Sequence, residues 1–136
     1  MSMHGRKERR LNKFYIIVTP MAMACLDLVS GYLAAMHNGK VNSSCMFEGM
    51  FKKLSEVLAI VAAKATEFAI AVFGATELGM SPSIPVCTAV CIFITVYELV
   101  SVVENIGKLN PSIGGALVRI LGIDPSKVGL DKSDVQ

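Results

Sequence analysis

The sequence contains no tryptophan, and only 7% of its 136 residues are aromatic. Residue types that perform catalysis are also scarce: the two histidines are His4 and His37, and no Ser/His/Asp set, Walker loop or GxGxxG pattern is present. The acidic residues inside the apolar blocks are not combined with a nucleophile and a histidine close by in the sequence. We therefore predict that the chain is not an enzyme and that it uses no cofactor.

Four cysteines are present, and three of them lie in apolar blocks, where cysteine behaves as a small hydrophobic residue. Cys87 and Cys91 have the i, i+4 spacing that could suit a metal ion, but no histidine lies near them. We expect neither a metal site nor a disulfide.

Charged residues make up 18% of the chain, and the basic ones crowd its start. No aromatic residues interleave this basic run, which argues against a nucleic-acid partner. A secretory signal peptide is disfavoured because the apolar run that follows is too long and no clear A-x-A cleavage site follows it. Residues 1–13 are interpreted as a basic N-terminal tail in front of an uncleaved membrane segment.

Apolar residues account for 53% of the chain and fall in three long blocks, at about 14–36, 57–78 and 84–103. Each block approaches the roughly 20 residues that a helix needs to cross a bilayer. The pattern predicts an all-α membrane protein of about three transmembrane helices in one domain, with helix boundaries near 14–36, 45–78 and 84–107.

The stretch between the first two blocks combines a turn with an amphipathic segment. Asn38-Gly39 is a strong turn pair. In CMFEGMFKKLSE, residues 45–56, the bulky apolar residues recur at helical spacing, and Glu48, Lys52, Lys53 and Glu56 take the other side. This segment is either an amphipathic helix at the membrane interface or simply the first turns of the second spanning helix.

The remaining connections are a short uncharged turn and a polar tail. Residues 79–85, GMSPSIP, form the turn, and residues 108–136 form the tail. The tail contains the helix breakers Asn110-Pro111 and Asp124-Pro125, so we expect a short amphipathic piece at ALVRILGI followed by a loose end from Asp124.

Each apolar block carries a stripe of small or polar residues when it is drawn as a helix. These stripes and their neighbours supply the candidate site: Asp27, Ser30, Gly31, Asn38, Lys64, Glu67, Glu98, Ser101, Glu104 and Asn105. In one interpretation the stripes pack against each other within a chain, with Lys64 neutralised by Glu67, Asp27 or Glu98. In the other, they face water in a pore built from several copies.

Two groups of residues resemble a known family. The first is Asp27-x-x-Ser30-Gly31-x-x-Ala34, then Asn38-Gly39-Lys40-Val41-x-Ser43 and Gly49-x-x-Lys52-Lys53; the second is Glu98-x-x-Ser101-Val102-x-Glu104-Asn105, followed by Leu109-x-Pro111. Together they resemble the phage-lysis and toxin-secretion holins over about residues 24–120. The resemblance implies a multi-pass protein of the bacterial inner membrane that assembles with copies of itself. The lesions formed by such assemblies let an endolysin or a toxin leave the cytoplasm.

Two other functions stay open at this level. A small ion or solute channel or transporter would also suit an internal lysine and several acids, and a non-lytic antiholin would share the same motifs. Orientation is open as well. The uncharged second turn belongs outside the cell by the positive-inside rule, and three full spans then place the five basic residues of 1–13 outside too. Either that placement holds, or the first block does not fully span the membrane at rest.

Overall fold

The computed structural model describes residues 3–77 and 85–129, and within them every regular element is helical. Four α-helices and one 3-10 helix follow each other: α1 Met3–His37, α2 Ser43–Glu77, α3 Val86–Leu109, α4 Pro111–Leu121 and the 3-10 helix Pro125–Val128. The predicted all-α fold is confirmed.

Three of these helices contain segments long and apolar enough to cross a membrane: Phe14–His37, Ser43–Gly74 and Val86–Leu109, of 24, 32 and 24 residues. At a rise of about 1.5 Å per residue, each exceeds the roughly 30 Å thickness of a hydrocarbon core. Many of their largest apolar side chains point away from the bundle, including Phe68, 71% exposed, and Phe93, 72% exposed. An apolar exterior of this extent is typical of a protein whose solvent is lipid.

The first helix begins earlier than the apolar pattern predicts. It starts at Met3, so the backbone of the basic segment continues the first spanning helix instead of forming a separate tail. Arginine, lysine and leucine are good helix formers, and no proline interrupts the segment. The helix ends in a tight turn at Gly39, whose φ of 63° is the left-handed conformation that glycine adopts easily.

The amphipathic segment 45–56 belongs to α2, which settles the choice left open by the sequence. The helix starts after Asn42, whose side-chain oxygen accepts a hydrogen bond from the backbone N–H of Ser44 at 3.0 Å. From there it runs without a break to Glu77. A continuous helix forms because the run after Gly49 has no glycine or proline before Gly74.

The prediction of a loose end after residue 123 is wrong up to Gly129; residues 130–136 lie outside the described range. Asn110 accepts a hydrogen bond from Ile113 N–H at 3.2 Å and caps α4, which folds back onto α3. Val103 of α3, Val118 of α4 and Val128 of the 3-10 helix bury one another. The apolar residues of the tail drive this docking, because leaving them in water costs free energy.

The three long helices do not contact one another equally. α1 and α3 form the most extensive pair, α2 packs mainly on α3, and α1 and α2 barely touch. One core cluster, Ile60, Ala63, Cys87, Cys91 and Ile94, joins α2 to the first half of α3. Closer to the Gly39 turn, polar side chains also join the three long helices.

Candidate functional site

Lys53 of α2 is the centre of a cluster of charged side chains between the three long helices. Its Nζ lies 2.8 Å from Oδ2 of Asp27 on α1 and contacts Oε2 of Glu98 on α3. Oε1 of Glu56, one turn further along α2, is 3.7 Å from the same nitrogen. We call these four residues, Asp27, Lys53, Glu56 and Glu98, the charge cluster. It ties each long helix to the other two.

The charge cluster is almost entirely removed from solvent. Glu98 is 0% exposed, and the side chains of Asp27, Lys53 and Glu56 are 13%, 11% and 13% exposed. An isolated charge inside a membrane costs several kcal/mol, so ionisable groups there pair with one another. Pairing with Lys53 is the physical reason that an aspartate can sit in the middle of the apolar first block.

Asn105 of α3 extends the cluster along the interface with α1. Its Nδ2 donates to Oδ1 of Asp27 at 3.0 Å and to Oγ of Ser30 at 3.2 Å. Gly31 allows this approach: a Cβ atom added there would lie 3.3 Å from Asn105 Nδ2, tighter than most real contacts. A small residue on α1 and a polar one on α3 thus make a close, hydrogen-bonded helix interface.

Lys64 and Glu67 form a second charged pair on α2, closer to its end. Their Nζ and Oε2 atoms are 2.7 Å apart, and the Lys64 side chain is 60% exposed. Oε1 of Glu67 accepts a hydrogen bond from the backbone N–H of Cys87 at 2.8 Å. That N–H lies in the first turn of α3, where Pro85 supplies no side-chain cap. Glu67 therefore caps a neighbouring helix, and its negative charge suits the positive end of that helix.

The other candidate residues lie at the edges of this arrangement. Ser101 and Glu104 line a cleft of about 540 Å³ between α1, the start of α2 and the end of α3. Glu104 also pairs with Lys108 at 2.7 Å on the same helix. The Asn38 side chain donates a hydrogen bond to the carbonyl of Ala34 at 2.9 Å, which stabilises the C-terminal end of α1.

Comparison with known proteins identifies the family. The model of the bacteriophage holin family matches residues 12–123, which is most of the chain and includes the whole charge cluster. This chain belongs to the bacteriophage holin family. No curated protein and no solved structure matches it significantly. The family and the three apolar helices together make it a multi-pass membrane protein.

In this holin, the stripe residues of α1 and α3 meet within one chain. Asp27, Ser30 and Gly31 contact Asn105, and Asp27 and Glu98 share Lys53. Lys64 takes one of the three partners considered for it, Glu67, and neither of the other two. A water-facing role for the same stripes in an assembly of several copies stays a prediction.

For two members of the charge cluster, the environment predicted from the sequence is wrong. Lys53 and Glu56 were expected on the polar side of the amphipathic segment, away from its apolar contacts. The structure instead buries Lys53 in the bundle, at 9% exposure. The reason is that α1 and α3 bring Asp27 and Glu98 to that side of α2, which makes the polar side an interior one. The available signal was the position of Lys53, three helical turns before Lys64 on the same face of the helix.

Proposed function

We propose that this chain is a lytic holin: it accumulates in the bacterial cytoplasmic membrane, assembles with copies of itself and opens lesions that release an endolysin or a toxin. The observation that carries the proposal is the charge cluster, which joins three helices of membrane-crossing length in a chain of the holin family. In this proposal the chain has two arrangements, a closed one that keeps the charge cluster buried and an open one that exposes it to water and releases protein.

In the closed arrangement the cluster holds the charged groups inside a single chain. Asp27 and Glu98 both pair with Lys53, and the outside of the bundle is apolar. Such a chain can accumulate in lipid without conducting, because no ionisable group of the cluster faces the hydrocarbon.

In the open arrangement the same side chains would line water between copies of the chain. Hydration then replaces the pairing that Lys53 supplies, and the apolar faces stay in contact with lipid or neighbouring copies. Separating a buried ion pair costs several kcal/mol. Because of this cost, the open form would become stable only when enough chains have accumulated to associate. Opening would therefore be abrupt.

The outer surface supports association between copies. Leu26, Val29 and Leu33 on α1, and Phe51 and Leu58 on α2, are exposed on the bundle. The weak contact between α1 and α2 also leaves their cleft free to widen. Association in a membrane relies on van der Waals packing of such surfaces and on polar side chains that bond across helices.

The test is expression of this chain alone from a tight promoter. We expect sudden loss of membrane potential, escape of a small cytoplasmic reporter enzyme, and lysis when an endolysin is co-expressed. Depolarisation without enzyme escape would indicate a small-pore holin or an ion channel. Continued growth with the protein in the membrane would identify an antiholin or a structural partner, and either result rejects the proposal.

Self-assembly can be tested with the native cysteines. Cys25 and Cys45 are exposed free thiols, whereas Cys87 and Cys91 are buried. Mild oxidation of membranes should give dimers and larger products through Cys25 and Cys45. The matched control is the Cys25→Ser, Cys45→Ser variant, which keeps the two buried thiols and should give none. Monomer alone from the unmodified chain after depolarisation would contradict assembly.

A further inference from the structure

Three carboxyl oxygens of the charge cluster are buried without a hydrogen-bond partner. They are both oxygens of Glu56 and Oε1 of Glu98. Glu98 is 0% exposed, so this oxygen points into the cluster interior while Oε2 contacts Lys53. A buried polar atom left unpaired costs about 1–3 kcal/mol, and more when the group is charged. The cluster therefore lacks a donor at the place where Glu56 and Glu98 meet.

The cluster also has too few positive charges. Asp27, Glu56 and Glu98 bring three negative charges if all are ionised, against the single ammonium of Lys53. Lys52 is a further cation near Glu56, and its Nζ sits 4.5 Å from the ring centroid of Tyr97. Counting both lysines still leaves one negative charge uncompensated. All of these residues lie in segments long and apolar enough to cross a membrane, where an uncompensated charge costs several kcal/mol.

We propose that the charge cluster is a proton-binding site, with one proton shared between the carboxyl groups of Glu56 and Glu98. Oε1 of Glu56 and Oε2 of Glu98 contact the same ammonium, that of Lys53, which places the two carboxyl groups beside each other. Two carboxylates this close do not both stay ionised, since each repels the charge of the other. With the proton bound, the acid O–H of Glu56 donates to Oε1 of Glu98. One proton thus cancels the excess charge and supplies the missing donor.

A proton fits this site better than a metal ion does. Among residues 3–77 and 85–129, no group of three or more His, Cys, Asp and Glu side chains is arranged to hold a metal. Lys53 already occupies the space between Asp27 and Glu98 with a positive charge. A second cation there would be repelled, whereas a proton becomes part of a neutral acid.

The proton would leave when the cluster opens. Glu56 and Glu98 would then be hydrated and separated from each other, and the acid would give its proton to water. Release of one proton makes opening faster at higher pH, by at most about tenfold per pH unit. This link to opening rests on the proposed function, whereas the proton site itself rests on the geometry alone.

Infrared spectroscopy of the purified full chain in lipid tests the site directly. At about neutral pH, where exposed glutamates are ionised, the unmodified chain should show a carboxylic-acid C=O band. Glu56→Gln should abolish the band. Its amide N–H can still donate to Oε1 of Glu98, so this variant should keep its fold. The matched control is Glu48→Gln, an exposed glutamate two turns earlier on α2, which should leave the band unchanged.

Each other outcome has a definite meaning. Absence of the band from the unmodified chain, or its survival in both Glu56→Gln and Glu98→Gln, overturns the proposal. A band that appears only when choline replaces sodium and potassium would make the site one for a monovalent metal ion, which also overturns it. If Glu56→Gln aggregates, loss of the band on raising the pH of the unmodified chain, with helix content retained, provides the same test.

A liposome experiment separates this inference from the proposed function. Leakage through the unmodified chain should speed up between about pH 6 and about pH 8, and Glu56→Gln should remove that dependence. Equal pH dependence in both chains would contradict the release of this proton on opening. If neither chain causes leakage, the proposed function fails while the infrared result still decides the proton site.

Discussion

Helix α2 carries the same charged pair twice, eleven residues apart: Lys53-x-x-Glu56 and Lys64-x-x-Glu67. Eleven residues are about three helical turns, so the two pairs share one face of the helix. Yet the Lys53 side chain is 11% exposed and contacts carboxylates from α1 and α3, whereas the Lys64 side chain is 60% exposed and pairs with Glu67 on its own helix.

The two pairs differ because the neighbouring helices place different polar groups beside them. At Lys53 they supply Asp27 and Glu98, so the pair becomes an internal connection among three helices. At Lys64 the neighbour supplies the backbone N–H of Cys87, so the pair caps one helix. Identical sequence spacing thus yields an internal connection among three helices in one place and a helix cap in the other.

The largest expected effect comes from removing the two lysines separately. Lys53→Met leaves Asp27 and Glu98 as buried carboxylates without the ammonium that pairs with them, and we expect a loss of about 3–5 kcal/mol in the free energy of unfolding. Lys64→Met removes a largely exposed pair and should cost about 0–1 kcal/mol. Denaturation of the purified variants in mild detergent measures both. Similar losses of unfolding free energy in the two variants would show that the buried pair contributes no more to stability than the exposed one.

The interface between α1 and α3 gives the next effect. Gly31→Ala should cost about 1–3 kcal/mol, because the added methyl group presses on Asn105. Asn105→Ala removes hydrogen bonds to Asp27 and Ser30 and should also cost about 1–3 kcal/mol.

The double variant and a control glycine sharpen that prediction. Gly31→Ala should cost much less in the Asn105→Ala background, with a coupling of about 0.5–3 kcal/mol. Gly49→Ala on α2 meets only an ordinary 3.7 Å contact with Leu28 and should stabilise the helix slightly. Additive losses from Gly31→Ala and Asn105→Ala would show that these residues do not press on each other.

A smaller effect is expected where Glu67 caps the start of α3. Glu67→Ala removes the acceptor for Cys87 N–H and should cost about 0.5–2 kcal/mol, mainly through fraying of the start of α3. Hydrogen exchange of the Cys87 amide would report it. Glu104→Ala, which loses an exposed pair with Lys108, is the control and should leave that amide protected. Unchanged exchange in Glu67→Ala would refute the cap.

The smallest effect concerns Lys52, the neighbour of Lys53. Its ammonium lies over the ring of Tyr97, a cation–π contact of about 0.5–1 kcal/mol. Tyr97→Leu should lower the free energy of unfolding by that amount, and Tyr97→Phe, which keeps the ring, should not. Equal stability of the leucine and phenylalanine variants would mean that the contact contributes nothing.

Hydropathy and helical periodicity predict much of this fold. The three spanning helices follow from uninterrupted apolar blocks, and the stripes contain Asp27, Gly31 and Asn105, which lie at one helix interface in the structure. Both features depend on the pattern of residues within a single helix, so they can be predicted from the sequence.

What the sequence could not reveal depends on contacts between distant residues. Lys53 sits beside Lys52 in a segment whose local pattern is that of a solvated polar face, and only Asp27 and Glu98 make it an interior one. Glu67 caps a helix that begins twenty residues later, and Val128 is buried by a return of the chain onto Val103. None of these partners lies within one helical turn.

The most direct test replaces the whole charge cluster by apolar residues: Asp27→Leu, Lys53→Met, Glu56→Leu and Glu98→Leu in one chain. Removing a buried charge cluster together is often neutral or stabilising, so the variant should insert and remain a compact helical protein in detergent. Expressed alone, it should accumulate without releasing the cytoplasmic reporter enzyme, because the cluster then supplies no charged groups to line water. Release of the enzyme at the same time as with the unmodified chain would contradict the account. The charge cluster would then serve only to hold the helices together.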